Sequence, residues 1–212
     1  MKYMRKADWY FDFISPFAYL AWMRLGELPE DVQIQYRPVL FAAMLNHWGQ
    51  KGPAEMPTKR AWTYRWCTWL ADQHGIAFRF PGAHPFNPLP YLRLAIAANC
   101  SQHAIHSIFQ AIWTTGDDPA DESVMCGLLE SLRIDPDQLS TPAVKDGLRQ
   151  GTDNALAQGV FGVPTLAIDG ELFWGADAME FAKAFLADPS IVRTAEMRRV
   201  ATLPIGVVRK NV

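Results

Sequence analysis

The order of secondary-structure elements is the strongest constraint on how this chain can fold. Residues 8–13 (Asp-Trp-Tyr-Phe-Asp-Phe) are aromatic-rich and too short for a helix, so they read as a strand. Ile14-Ser15-Pro16 marks a turn, with Ser15 a good helix cap and Pro16 a good first helical residue. Helical periodicity then runs over residues 17–25 and stops at Gly26. Residues 33–40 alternate as a second strand. The opening is therefore β-α-β, which implies a parallel pair of strands. From 41 to 159 the pattern is helical with loops and few strand candidates. Helices are expected over 58–74, 89–100, 104–113 and 121–132. Pro81, Pro85, Pro88 and Pro90 make the stretch around 78–90 an irregular loop. Strands return at 164–169 and 171–174, joined by the hairpin signal Asp169-Gly170. A last helix opens at Gly175-Ala176-Asp177 and runs to about Leu186. The order is β-α-β, a helical block, then α-β-β-α, with no internal repeat.

Composition narrows the class of function. Half of the 212 residues are hydrophobic, and the net charge is −2. The chain can bury a substantial core, and no basic excess or basic face supports nucleic-acid binding. The basic start of the chain leads into Ala7-Asp8 without an apolar segment, so no signal peptide is read. The longest stretch free of Asp, Glu, Lys and Arg, 94–116, carries Asn99, Gln102, His103, His106 and Gln110, a poor bilayer span. Cys67, Cys100 and Cys126 are scattered and odd in number, which argues against a disulfide framework and fits a reducing cytoplasm. All three fall in helical pattern and read as small core residues. His103 and His106 share a helix face but have no third ligand spaced with them, so no metal site is expected. The basic tail residues Arg193, Arg198, Arg199, Arg209 and Lys210 read as a solvated face.

Three places carry candidate chemistry. Ser15-Pro16-Phe17-Ala18 lies at a strand-to-helix junction, where a helix start stabilises an anion such as a thiolate. Ser15 could equally be only a cap. Gly162-Val163-Pro164-Thr165 precedes the third strand and is weak by itself. Trp174-Gly175-Ala176-Asp177 opens the last helix, as a cap or as a site where backbone N–H groups bind a carboxylate and Asp177 an ammonium.

Together these motifs, in this order, resemble the DsbA-like thioredoxin proteins. Within them the chain is similar to 2-hydroxychromene-2-carboxylate isomerases and kappa-class glutathione transferases. The resemblance spans about residues 9–186. It rests on the stretch from Tyr10 to Leu20, on Pro57-Thr58-Lys59, on Val160-Phe161-Gly162-Val163-Pro164-Thr165 and on Trp174-Gly175-Ala176-Asp177. It implies an α/β fold: a thioredoxin-like domain from residues 5–42 and 155–212, with a large α-helical insertion at 43–154. It also implies glutathione as the cofactor. Redox relatives have Cys-x-x-Cys where this chain has Ser15-x-x-Ala18, so dithiol chemistry is excluded at this site. The resemblance instead gives Ser15 a hydrogen bond to the glutathione sulfur, worth roughly 1.5–3 kcal/mol for a charged partner. It gives Val163, before a cis Pro164, strand-like pairing with the cysteinyl backbone. Gly175, Ala176 and Asp177 match the γ-glutamyl site, and Lys59 a lysine near the glycyl carboxylate. The relatives' asparagine loop is replaced by Gly49-Gln50-Lys51-Gly52-Pro53, where Gln50 or Asn46 could substitute.

On the substrate side, the resemblance implies thiolate addition to a conjugated enone, bond rotation and thiolate departure, on a small aromatic carboxylate. Such a substrate needs an apolar slot. Phe17 and Asn87 are candidate substrate contacts, and Asn87 could instead serve only the turn of its loop. Trp48, Trp62, Trp66 and Phe86 are available aromatics, but the Trp62/Trp66/Trp69 spacing predicts a core-facing stripe. The expected protein is a cytoplasmic homodimer. Alternatives are a kappa-like glutathione transferase or peroxidase, a non-catalytic DsbA-like thiol or peptide binder, and an enzyme based on Cys67 or Cys126.

Overall fold

A computed structural model of the chain describes residues 4–207. Strand β1 (Arg5–Phe11) leads through the turn at 12–15 into helix α1 (Pro16–Trp22), and β2 (Val32–Pro38) follows. The intervening helices are α2 (Phe41–Trp48), α3 (Pro57–Gln73), α4 (Leu89–Ala97), α5 (Gln102–Trp113), α6 (Glu122–Leu132) and α7 (Pro142–Ala157). Strands β3 (Thr165–Ile168) and β4 (Glu171–Trp174) then precede α8 (Met179–Ala187) and α9 (Ala195–Ala201). The sheet order is β2-β1-β3-β4, with β1 parallel to β2 and antiparallel to β3. This is a thioredoxin-like α/β fold carrying an α-helical insertion.

β1 occupies the centre of the sheet and is covered on both faces, which explains its nearly unbroken apolar run. Side chains alternate across it: Ala7, Trp9 and Phe11 enter the main core and Tyr10 the smaller core on the other face. Trp9 stacks on Phe11 at 4.5 Å between ring centres, and Phe109 of α5 touches Trp9, Phe11 and Phe13. The hairpin between β3 and β4 turns on Asp169 and Gly170, both at positive φ (50° and 88°), as an Asp-Gly two-residue turn requires.

Several expectations are corrected. The first strand starts earlier and ends at Phe11, leaving Asp12 and Phe13 to the turn. The first helix ends at Trp22, and Leu25–Glu27 forms a separate 3₁₀ turn. The Trp62/Trp66/Trp69 stripe is not core: the three indoles are 61%, 38% and 50% exposed. They stack on one another instead, at 5.6 and 5.1 Å between centres. Cys126 is exposed and is not a core residue, whereas Cys67 is fully buried. Helix α9 falls in the tail read only as a solvated basic face; Arg209 and Lys210 lie outside the described residues. Among the described residues, no helix is long and apolar enough to cross a membrane.

Candidate functional site

Ser15 caps α1 with extended backbone angles, and its Oγ accepts the Ala18 N–H at 3.2 Å. That bond uses an oxygen lone pair and leaves the hydroxyl hydrogen free to be donated. Both the capping role and the donor role weighed from the sequence are thus compatible in one side chain. Ser15 is only 7% exposed, so a partner for that hydrogen must come close.

The 162–165 segment is tied at both ends. Thr165 Oγ1 donates to the Gly162 carbonyl at 2.7 Å, and the Gly175 N–H donates to the Pro164 carbonyl at 2.9 Å. The Val163–Pro164 peptide bond is cis. Between these ties, the N–H and C=O of Val163 form no hydrogen bond with the described residues. Gly175, at φ +100°, could not take a side chain without running into the Asp177 carboxylate folded back over it. Asp177 is exposed and makes no ion pair with the described residues.

A cleft of about 310 Å³ opens beside these groups. Phe17 and Leu20 of α1, with Arg24 just beyond its end, contribute one wall. Trp62, Trp66 and Leu70, every fourth residue of α3, form a second wall with His74 at the helix's C-terminal cap. Val163 and the Trp174–Asp177 turn complete it. The Arg24 guanidinium is held by both oxygens of Glu27, at 2.8 and 3.0 Å, and by Glu180 at 3.4 Å. Its charge is therefore largely answered within the protein.

Of the residues singled out from sequence, the structure brings Phe17, Val163, Gly175, Ala176 and Asp177 together around this cleft. Pro164 is buried and lines a separate small cavity with Trp9 and Leu166. Ser15, Lys59 and Asn87 do not line the cleft. Lys59 is exposed on the first turn of α3. Asn87 is exposed, and its Oδ1 accepts the Leu89 N–H at 3.1 Å, the turn chemistry expected of such a residue. Asn46 and Gln50 are exposed, and neither lines the cleft. Sequence reasoning missed Leu20, Arg24, Leu70 and His74; the periodicity shared with Phe17, Trp62 and Trp66 is the signal that would have found them.

Thiol chemistry of the chain's own cysteines is disfavoured at the buried positions. Burial pushes the Cys67 thiol up to about 12 and that of Cys100 up to about 11, so both stay protonated near neutral pH.

A family model for the DSBA-like thioredoxin domain matches residues 6–187. The chain belongs to the DSBA-like thioredoxin family. Within this family it is 29% identical over 194 residues to a 2-hydroxychromene-2-carboxylate isomerase of Sphingobium xenophagum, covering 85% of this chain and 97% of that protein. It is 26% identical over 204 residues to glutathione S-transferase kappa 2 of Caenorhabditis elegans, covering 85% and 91%. A solved 2-hydroxychromene-2-carboxylate isomerase structure superposes with a TM-score of 0.76 at 26% identity, covering 91% of this chain and 98% of that one. Family membership thus extends to relatives that are isomerases and glutathione transferases, which supports an enzyme.

Proposed function

We propose that the chain is a glutathione-dependent isomerase of 2-hydroxychromene-2-carboxylate or a related carboxylated aryl compound, with kappa-like glutathione transfer as the second reading. The observation that carries the proposal is the two-sided cleft. One side offers the peptide groups of Val163 and the carboxylate of Asp177, unpaired among the described residues; the other is apolar and aromatic. Those donors and acceptors suit a γ-glutamyl tripeptide: Val163 pairs with its peptide backbone and Asp177 with its ammonium. Gly175 and Ala176 offer backbone beside Asp177, Lys59 a cation for the second carboxylate, and Pro164 fixes the presentation of Val163. Glutathione supplies a nucleophilic thiolate that adds reversibly to a conjugated double bond. Ser15 Oγ–H favours the ionised sulfur by donating to it, while Oγ keeps its bond to Ala18.

On the other side, Phe17 with Trp62 and Trp66 presents flat apolar surface to an aryl ring. Replacing Trp66 or Trp62 by Ala is expected to raise the KM for the aryl substrate by roughly tenfold, as the loss of an aromatic stacking partner and its buried area implies. The KM for glutathione should change much less. Steady-state kinetics with each co-substrate varied in turn checks this, and equal rises in both would place the indoles in the glutathione site instead. Omission of reduced glutathione tests the proposal as a whole: isomerisation should stop. Turnover that persists without it refutes glutathione dependence, and a chain that binds glutathione but turns over no electrophile is a binder.

A further inference from the structure

The turn that ends in Ser15 is held by side chains from distant parts of the chain, none of which the proposed chemistry uses. Two successive peptide units are each bonded on both sides. In the Phe13–Ile14 unit, the carbonyl accepts Trp113 Nε1–H at 3.0 Å and the N–H donates to Asp12 Oδ1 at 3.1 Å. In the Ile14–Ser15 unit, the N–H donates to the Asp12 carbonyl at 3.1 Å, and the carbonyl lies 2.8 Å from His84 Nε2. A carbonyl only accepts, so His84 Nε2 carries a hydrogen. The imidazole is itself fixed from its other side, where Nδ1 and the His84 carbonyl both meet the Tyr64 hydroxyl.

We propose that His84 is a positioning residue for Ser15: its Nε2–H locks the Ile14–Ser15 peptide and with it the direction of the Ser15 hydroxyl. The inference rests on the donor role given to Ser15 above. His84 reaches across 70 residues of sequence to a part-buried carbonyl, so the bond is part of the tertiary arrangement and not of the local turn. The contact does not depend on protonation. In the neutral ring Nε2 is the protonated nitrogen, and in the imidazolium Nε2 still donates, while Nδ1–H turns to the Tyr64 oxygen and Tyr64 O–H to the His84 carbonyl. Burial holds the His84 pKa below its ordinary value, against the opposing pull of the Ile14 bond, and the Arg60 charge acts in the same direction as burial. The ring is thus neutral around pH 7 with the clamp intact. His84 sets geometry and takes no proton from substrate.

The test compares His84→Ala with His84→Gln, whose side-chain amide can replace the Nε2–H donor. For His84→Ala, turnover at neutral pH should fall roughly ten- to hundredfold, the scale of a small misplacement of a reacting group. Glutathione affinity should stay nearly unchanged, and the thiolate absorbance of bound glutathione should titrate at higher pH. Amide hydrogen exchange at Ser15 should quicken in the same variant. His84→Gln should recover most of the turnover, the thiol titration and the slow exchange. The proposal is overturned if His84→Ala leaves the thiol titration and Ser15 exchange as in the wild type. It is equally overturned if His84→Gln is as impaired as His84→Ala, since the ring's packing and not its donor would then matter. Should the wild type bind no glutathione, the proposed function fails by that result alone, and Ser15 exchange in the three proteins still decides whether His84 is the clamp.

Discussion

Ser15→Ala is expected to fold, to bind glutathione and to turn over between about ten and about a hundred times more slowly at neutral pH. The range follows from the hydrogen bond removed: a donor to an ionised sulfur is worth roughly 1.5–3 kcal/mol, and each 1.36 kcal/mol is tenfold. The cost to stability is smaller. Losing the cap on Ala18 N–H costs roughly 1 kcal/mol, and the extended Ser15 backbone is accessible to Ala. The two effects therefore separate in measurement. Thermal unfolding should move by a few degrees, while the pH profile of turnover should shift to higher pH and regain much of the lost rate in alkaline buffer. A variant as active as the wild type at neutral pH removes Ser15 from the mechanism.

The largest effect on stability is expected at Asp12. Its carboxylate is completely buried and accepts N–H groups from Phe41 at 2.9 Å and Ile14 at 3.1 Å, with Phe13 a third donor. Asp12→Ala strands three donors, two of them part-buried, at about 1–3 kcal/mol each, so a loss of roughly 3–5 kcal/mol is expected after local relaxation. Chemical denaturation of the two proteins measures it.

Asp12 also makes stability depend on pH. Burial raises its pKa from 3.8 to about 7, against the opposing pull of the three N–H groups. A carboxyl with a higher pKa folded than unfolded binds its proton more tightly in the folded state. Its contribution is complete below about pH 4 and is lost as pH rises through about 7. Stability from this group thus falls between those limits, by an amount on the order of 4 kcal/mol at most. Asp12→Asn, which cannot titrate, should flatten that part of the pH dependence. An unchanged slope in denaturation midpoints between about pH 4.5 and 7.5 would mean that Asp12 stays ionised in the fold.

Much of the architecture was legible because its determinants are local. The aromatic run before Ile14-Ser15-Pro16, the Asp169-Gly170 turn and the cap-like Ser15 each specify backbone geometry within a few residues. The parallel β1–β2 pair and the antiparallel β3–β4 hairpin follow from those signals, as the structure shows. The first helix was read three residues too long because Leu25 continues the apolar spacing, although the chain there closes into a 3₁₀ turn. The indole stripe of α3 misled for a related reason. Periodicity identifies a shared face but not what that face meets: Trp62 and Trp66 stack on each other and line the cleft, while Trp69 stacks on Trp66. The same limit applies to the supports of the site. Asp12 lies within an aromatic run, and nothing near it in sequence names Phe41 as its partner. The link from His84 to Ile14, and that from Trp113 to Phe13, join residues far apart in the chain, and only the fold brings them together.

The central claim is that the protein binds glutathione as a thiolate held by Ser15. Calorimetric titration with reduced glutathione, in two buffers of different ionisation enthalpy, tests it most directly. The expected result is saturable one-site binding with proton release near neutral pH, and a smaller release for Ser15→Ala at similar affinity. Absence of binding at millimolar glutathione, or the same proton release in both proteins, would contradict it.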